Sequence, residues 1–384
     1  MLFFKPTSYL GVDLGAGGVK IVELKREKNR PVLFTYGLTR GSYNVHRLLE
    51  KKELTANDLR PQTNSQESRS TLKPEPTFLI DKERVSEFAN IIKAVCKEAR
   101  TTATRAVASL PVSSVFHSIV TLPMVKKEEF DRILRAEVKK LLPYPIEEMA
   151  LEYEVMRGVA DAKDQRVLVN AVPRALVVFY TEVFKVAGIK LDSLEPESIA
   201  LARALVGRDQ APTMIIDMGA ERTNFFIVEQ GVPVTHHSVE LGGDKVNQHL
   251  AKALGLEVAV TEQIKQDLFT HLLASGADNF FKSQNFLALF NNVVDPIMKE
   301  IAYSLELYER QSMNTGKHPE KIILTGGAAY FPFLTDLMSE KFKLKCYLGD
   351  PWGRIVYQDG LKPILRNLAP RLAVAIGLAL RNVV

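Results

Sequence analysis

The sequence predicts an α/β protein made of two similar halves. Three observations predict it. A strand that ends in Asp and passes through a small-residue turn into another strand occurs twice, at Leu10–Val22 (LGVDLGAGGVKIV) and Ile215–Val228 (IIDMGAERTNFFIV). A further apolar strand, Ile322–Thr325, ends in Gly326-Gly327-Ala328-Ala329 and precedes a helical pattern. Short apolar strands alternate with amphipathic helices along most of the remaining chain.

The elements follow in order. Ser8–Leu14, the turn Gly15-Ala16-Gly17-Gly18 and Val19–Leu24 read as a hairpin, and Val32–Tyr36 as a third strand after the Asn29-Arg30-Pro31 turn. Gly41–Pro76 is polar and reads as an exposed loop, mobile from Thr55. Lys82–Ala99 has apolar residues at helical spacing. Arg105–Val172 reads as strand, strand, helix, strand, strand. Its helix, Lys126–Leu142, is stopped by Pro143 and Pro145. Arg174–Ala187 and Pro196–Val206 read as helices, with Leu191–Leu194 extended between them. Gly242-Gly243 opens the helix Asp244–Leu254. Helical stretches follow at Val260–Leu273, Ala288–Met313 and Phe333–Phe342, and Pro370–Val384 reads as an apolar helix with Pro in its first turn.

Composition limits the function. The 384 residues suit about two to three domains, and 46% apolar with 25% charged residues is a globular composition. A net charge of +5 makes no case for a nucleic-acid partner. The excess is local: residues 1–60 hold 11 Lys and Arg against 6 Asp and Glu. They form a solvated face, or a basic edge near anionic lipid with Leu2, Phe3 and Phe4 touching it. Two distant cysteines exclude a disulfide scaffold and a four-cysteine zinc site. His236 and His237 are adjacent on a strand and point to opposite faces, so they cannot share a metal. No uninterrupted apolar run of about 18 residues and no signal peptide are present, so a cytoplasmic protein without a transmembrane segment is expected.

The repeated motif has a physical reading. A strand that ends in Asp sets a carboxylate at the sheet edge, where it can hold Mg²⁺ through water. The small-residue turn lets backbone N–H groups approach phosphate oxygens. Two copies about 200 residues apart suggest two half-domains that grip one nucleotide between them.

The three motifs resemble the phosphate-1, phosphate-2 and adenosine motifs of the actin, DnaK and sugar-kinase superfamily. Within it the chain resembles the actin-like type IV pilus assembly family, PilM. Ala108-Ser109-Leu110-Pro111, Leu142–Glu148 (LPYPIEE) and Leu194–Leu205 also carry that resemblance. It implies a two-lobed actin-like ATPase fold, with duplicated ribonuclease H-like cores and an FtsA-type small subdomain. The implied boundaries are 1–104 with 173–207 for the core of lobe I, and 105–172 for the small subdomain. Lobe II takes 208–243 with 320–369 as its core and 244–319 as its helical part, and 370–384 returns to lobe I.

The resemblance also assigns site residues. Asp13 and Asp217 are the two aspartates on the Mg²⁺ side. Gly15, Ala16, Gly17 and Gly18 form the first phosphate turn. Gly219, Ala220, Glu221, Arg222 and Thr223 form the second, although Glu221 departs from the usual small residue and argues against fast hydrolysis. Lys20 either aims its ammonium at a phosphate or is a sheet-surface lysine. Gly242 and Gly243 open a helix whose N–H groups can cap an anion or approach the ribose. Glu262 and Lys265 hold ribose and base, or are an i, i+3 surface pair. Gly326, Gly327 and Ala328 lie at the adenine. Glu195, before Pro196, positions the attacking water or is a helix-entry carboxylate.

The implied function is an ATP- and Mg²⁺-binding scaffold with slow hydrolysis. It would bind the cytoplasmic N-terminal tail of PilN within the pilus inner-membrane assembly complex, through a groove near 105–172. Self-association into a ring is a further expectation. The alternatives are an FtsA-like polymer-forming protein and a small-molecule kinase. For the first, Pro370–Val384 resembles a connector helix instead of a terminal membrane anchor. For the second, no acceptor motif is apparent.

Overall fold

Two five-stranded sheets carry the molecule, and their strand orders match. The computed structural model describes residues 8–41, 43, 45, 48, 81–156, 164–264, 291–310, 317–330 and 334–383. Leu2, Phe3, Phe4, Lys265 and nearly all of the polar stretch 41–76 lie outside the described residues.

The first sheet contains β1 (Ser8–Gly15), β2 (Gly18–Glu27), β3 (Arg30–Leu38), β4 (Arg105–Leu110) and β8 (Lys190–Pro196), in the order β3-β2-β1-β4-β8. The second contains β9 (Thr213–Met218), β10 (Thr223–Glu229), β11 (Val232–Val239), β12 (Lys321–Thr325) and β13 (Lys345–Leu348), in the order β11-β10-β9-β12-β13. In each sheet neighbouring strands run antiparallel among the first three in this order and parallel among the last three. The chain therefore repeats one topology, with β9 standing to its sheet as β1 stands to the other. The two sheets and their helices form two lobes.

Helices α1 (Lys82–Glu98) and α3 (Arg174–Ala187) cover one face of the first sheet. Asp81 caps α1 by accepting from the Glu83 and Arg84 N–H groups, and left-handed Gly188 ends α3. Phe88 and Phe179 meet edge to face, with ring centroids 6.0 Å apart. Each ring contributes roughly 1.5–3 kcal/mol by leaving water.

A third sheet is separate. It contains β5 (Phe116–Pro123), β6 (Met149–Val155) and β7 (Asp164–Pro173) in the order β5-β7-β6. Helix α2 (Lys127–Lys139) packs on it through Leu134 and Val138. This corrects the expected strand, strand, helix, strand, strand unit. Arg105–Leu110 is not part of it. That strand lies between β1 and β8 in the first sheet, and its continuous burial from Ala106 to Leu110 is the pattern of a central parallel strand.

The remaining helices are α4 (Glu197–Leu201), continued by a π-helical turn at Ala202–Val206, α5 (Gly243–Leu254), α6 (258–264), α7 (Asn291–Glu309), α8 (Leu334–Phe342) and α9 (Lys362–Leu380). The last helix starts at Lys362, not at Pro370 as the sequence suggests. Pro363 takes the first turn, and Pro370 sits inside the helix. Its 359–380 segment is long and apolar enough to cross a membrane, but 67% of its most apolar stretch is buried within the protein. Leu372, Ala375 and Ile376 pack on the first sheet, while Ala373, Val374 and Leu378 join a core shared by both lobes. Backbones touch here. A Cβ on Gly377 would stand 1.9 Å from the Ala200 carbonyl oxygen, and one on Gly11 would stand 2.0 Å from that of Ala375. Trp352 is buried and donates its indole N–H to the Leu365 carbonyl at 2.8 Å.

Candidate functional site: an acidic cleft between the lobes

The duplicated hairpins bring equivalent side chains to one cleft. In β1 Asp13 lies opposite Lys20 of β2, and in β9 Asp217 lies opposite Asn224 of β10. Each Asp thus faces a partner seven residues on, and directly opposed residues are close enough to pair. Lys20 Nζ lies 3.0 Å from Asp13 Oδ2, and Asn224 Nδ2 donates to Asp217 Oδ2 at 3.3 Å. The Ser109 hydroxyl donates to Asp13 Oδ1 at 2.9 Å, and its oxygen accepts the Leu14 N–H at 3.3 Å.

These groups open onto a cavity of about 310 Å³ between the lobes. Asp13, Gly15, Ala16, Gly17 and Lys20 line it from the first hairpin, and Asp217, Gly219, Ala220, Glu221 and Arg222 from the second. Gly243, Glu262, Gly326, Gly327 and Ala328 complete the predicted part of its wall. Most of the residues singled out in the sequence thus come together around one cavity. Gly18 closes the first hairpin behind the lining, and the Thr223 hydroxyl bonds the Leu241 carbonyl. The opening of α5 differs from expectation. The Gly243 and Asp244 N–H groups donate to the Gly219 and Ala220 carbonyls, at 2.9 Å each, so they brace the second turn and cannot cap an anion. Gly242 stands against the same turn. Lys265 lies outside the described residues.

Glu195 is not at the cavity. Arg203 holds its two carboxylate oxygens at 2.8 and 3.0 Å, and Arg381 reaches Oε1 at 2.5 Å. Two guanidinium groups draw this carboxylate to the end of α9. Glu197, two residues later at the start of α4, lines the cavity. The Val112 N–H donates to its Oε2 at 3.3 Å. The signal for Glu197 was present as a second acidic residue after Pro196, but its direction depends on packing. Replacing Glu195 by Ala leaves two guanidinium groups without their shared carboxylate. A loss of about 3–5 kcal/mol in unfolding free energy is expected, read by denaturant titration, with the cavity itself unaltered.

Burial dominates the electrostatics. It pushes the Glu197 carboxyl well above the usual range, and the Asp13 and Asp217 charges push it further. Asp217 is pushed up to about 6, first by burial and then by Asp13, against the pull of Asn224 and Lys20. No group of three ligating side chains close enough to hold a metal occurs among the described residues. Asp13 and Asp217 offer carboxylate oxygens, the donor type that a hydrated Mg²⁺ accepts through its waters.

Sequence reasoning also missed Asn247 of α5 and Arg371 of α9. Both line the cavity. Arg371 pairs with Glu262 at 3.0 Å, and Asn247 Nδ2 donates to the other Glu262 oxygen at 3.0 Å.

A family model described as type IV pilus assembly protein PilM matches residues 77–383. The cell division protein FtsA of Pseudomonas aeruginosa is 26% identical over 207 residues, which cover 50% of this chain and 47% of FtsA. The chain thus spans about half the length of that curated relative. Among solved structures, the fold resembles the PilM-PilN type IV pilus biogenesis complex, with a TM-score of 0.74, 20% identity and 98% of each chain covered. It also resembles the ethanolamine utilization protein EutJ of Carboxydothermus hydrogenoformans, with a TM-score of 0.52, 14% identity, and 98% and 90% of the two chains covered. These likenesses identify the two lobes as an actin-like fold. The family match runs from before α1 through the whole of α9, and on it the chain belongs to the PilM family of type IV pilus assembly proteins.

Proposed function

We propose that this chain is an ATP-binding actin-like scaffold that holds the cytoplasmic N-terminal tail of a PilN protein at the inner face of the inner membrane. One observation carries the nucleotide half. Duplicated Asp hairpins face each other across a cavity that also takes in Gly326, Gly327 and Ala328. In this reading the turns Gly15–Gly17 and Gly219–Arg222 cradle the phosphates, and Lys20 leaves Asp13 to meet one of them. Asp13 and Asp217 would hold Mg²⁺ through its waters, and the ion would offset phosphate charge. Glu197 replaces Glu195 as the group that orients a water. Its raised pKa keeps it protonated more of the time, which suits slow hydrolysis.

The partner half rests on the family and on a second cavity of about 310 Å³. It lies between the small sheet and lobe I, lined by Leu151, Val172, Val177, Thr181, Leu194 and others. Among the described residues β6 and β8 are each terminal strands of their sheets, so both offer an edge to an extended peptide. The test is calorimetric titration of the full chain with ATP·Mg²⁺ and with a peptide of the PilN tail. Both are expected to bind. Thr181→Arg, an exposed change in the groove wall, is expected to weaken the peptide at least tenfold and leave ATP unchanged. A wild-type chain that binds neither would sink the proposal.

A further inference from the structure

A third cavity, of about 380 Å³, lies beside the start of α9, and of the cleft lining it shares only Pro370. We propose that it binds a small organic anion, a flat ring that carries a phosphate group. Lys362 and Arg366 take the phosphate, and Tyr330, Trp352 and Tyr357 flank the ring. The site is separate from the cleft and from the peptide groove, and it stands whatever those two hold.

The three rings in the wall are held in place by the protein itself. Trp352 is fixed at both ends. Its backbone N–H donates to Asp350 Oδ1 at 3.0 Å, and its indole N–H to the Leu365 carbonyl at 2.8 Å. Tyr357 stands edge-on to it, with ring centroids 6.2 Å apart and planes at 73°. Across the cavity the Tyr330 hydroxyl donates to the Asn367 carbonyl, which ties that ring to α9. A wall fixed in this way loses little conformational freedom when a ligand enters. A small volume with aromatic sides and a few charged groups is the usual build of a small-molecule site.

The charges select the sign of the ligand. Lys362 and Arg366 stand four residues apart on α9, so they share one face of the helix, and both line the cavity. Neither forms an ion pair or a side-chain hydrogen bond among the described residues. Like charges at this spacing repel, and the first turn of the helix holds no acidic residue to offset them. The carboxylate in the wall, Asp350, is engaged by the Trp352 N–H. An anion between the two cations relieves their repulsion. A phosphate dianion matches two cations and offers an oxygen to each, whereas a carboxylate carries one charge. The lining includes no histidine, cysteine or serine, so the site is built for binding and not for turnover.

Trp352 is the only tryptophan in the chain, so its fluorescence reports on this cavity. The experiment titrates the full chain with phenyl phosphate, with inorganic phosphate and with benzyl alcohol, and follows Trp352 emission. Phenyl phosphate is expected to give a saturable change, with an affinity at least tenfold above that of either fragment. Lys362→Gln and Arg366→Gln are each expected to weaken phenyl phosphate about tenfold, by removing one charge-assisted contact. Both side chains are exposed, so the emission of the unliganded variants is expected to match the wild type. A wild type without a saturable response to phenyl phosphate overturns the proposal. Inorganic phosphate bound as tightly as phenyl phosphate reduces the site to two surface cations and overturns it as well, and so does benzyl alcohol bound as tightly. These three outcomes are read on the wild type and hold even where a variant fails to fold. Folded variants that keep the wild-type affinity for phenyl phosphate also overturn it.

Discussion

Gly377→Val is expected to lower the unfolding free energy by about 3 kcal/mol or more, because its side chain has nowhere to go. A Cβ there would overlap the Ala200 carbonyl, at 1.9 Å from the oxygen and 2.5 Å from the carbon. Those atoms are backbone and cannot rotate away. Relief requires α9 to move from α4, which opens the core shared by Ala200, Leu201, Ala373, Val374 and Leu378. Gly360→Ala is the control, since nothing lies within 4 Å of its Cβ position. Thermal unfolding of both variants beside the wild type checks the prediction. A Gly377→Val chain as stable as the control would mean that the helix contact is looser than described.

Asp217→Ala is expected to weaken ATP·Mg²⁺ binding about 100-fold, and Asp13→Ala to do the same, with peptide binding retained. The pH dependence of the wild type tests the same groups. In the folded chain Asp217 titrates at about 6, above the ordinary carboxylate range. Between the two values the folded state holds more protons than the unfolded one, so the stability of the unliganded protein falls as pH rises from about 4 to 6. The shift corresponds to about 2–3 kcal/mol. Cation-assisted nucleotide binding needs the ionised carboxylate and moves the opposite way, strengthening as pH rises through about 6. Calorimetry in the presence of Mg²⁺ at pH 5, 6 and 7 separates the two slopes. Binding that strengthens toward pH 5 would exclude Asp217 as a group that must be ionised.

Much of the cleft was legible because it is built from local sequence. Each Asp and its cross-strand partner belong to one hairpin, so the two reach the cleft together, although the sequence reading paired neither Asp13 with Lys20 nor Asp217 with Asn224. The duplicated sheet follows from the duplicated hairpin. What failed to show was set by distant contacts. Glu195 and Glu197 are chemically equal in the sequence, and Arg203 and Arg381 decide which one faces the cavity. Arg381 is 186 residues from Glu195. Arg371 has no local signature, because its partner Glu262 arrives from another helix. The start of α9 was misplaced for a related reason. Pro370 removes an N–H and is a fair stop signal, yet the helix continues through it. Its carbonyl accepts the Gly326 N–H at 3.1 Å and the Thr325 hydroxyl at 3.3 Å, and packing on both lobes outweighs the lost bond. Arg105–Leu110 was assigned to the small subdomain because it precedes that unit in sequence, although its partners are β1 and β8.

The backbone contacts of α9 have a mechanical consequence. Gly11 meets the helix from lobe I and Gly377 meets α4, each without a side chain between. Interfaces made of interdigitating side chains can slide by one rotamer row, but carbonyl-to-carbon contacts at van der Waals range leave no row to slide along. Axial travel of the helix is therefore blocked, while rolling about its own length is not. Pro370 and Arg371, on that same helix, touch the Gly326 loop and Glu262. The helix is thus built as an axle: a torque applied midway along it, at Pro370 and Arg371, meets less resistance than a push along its length.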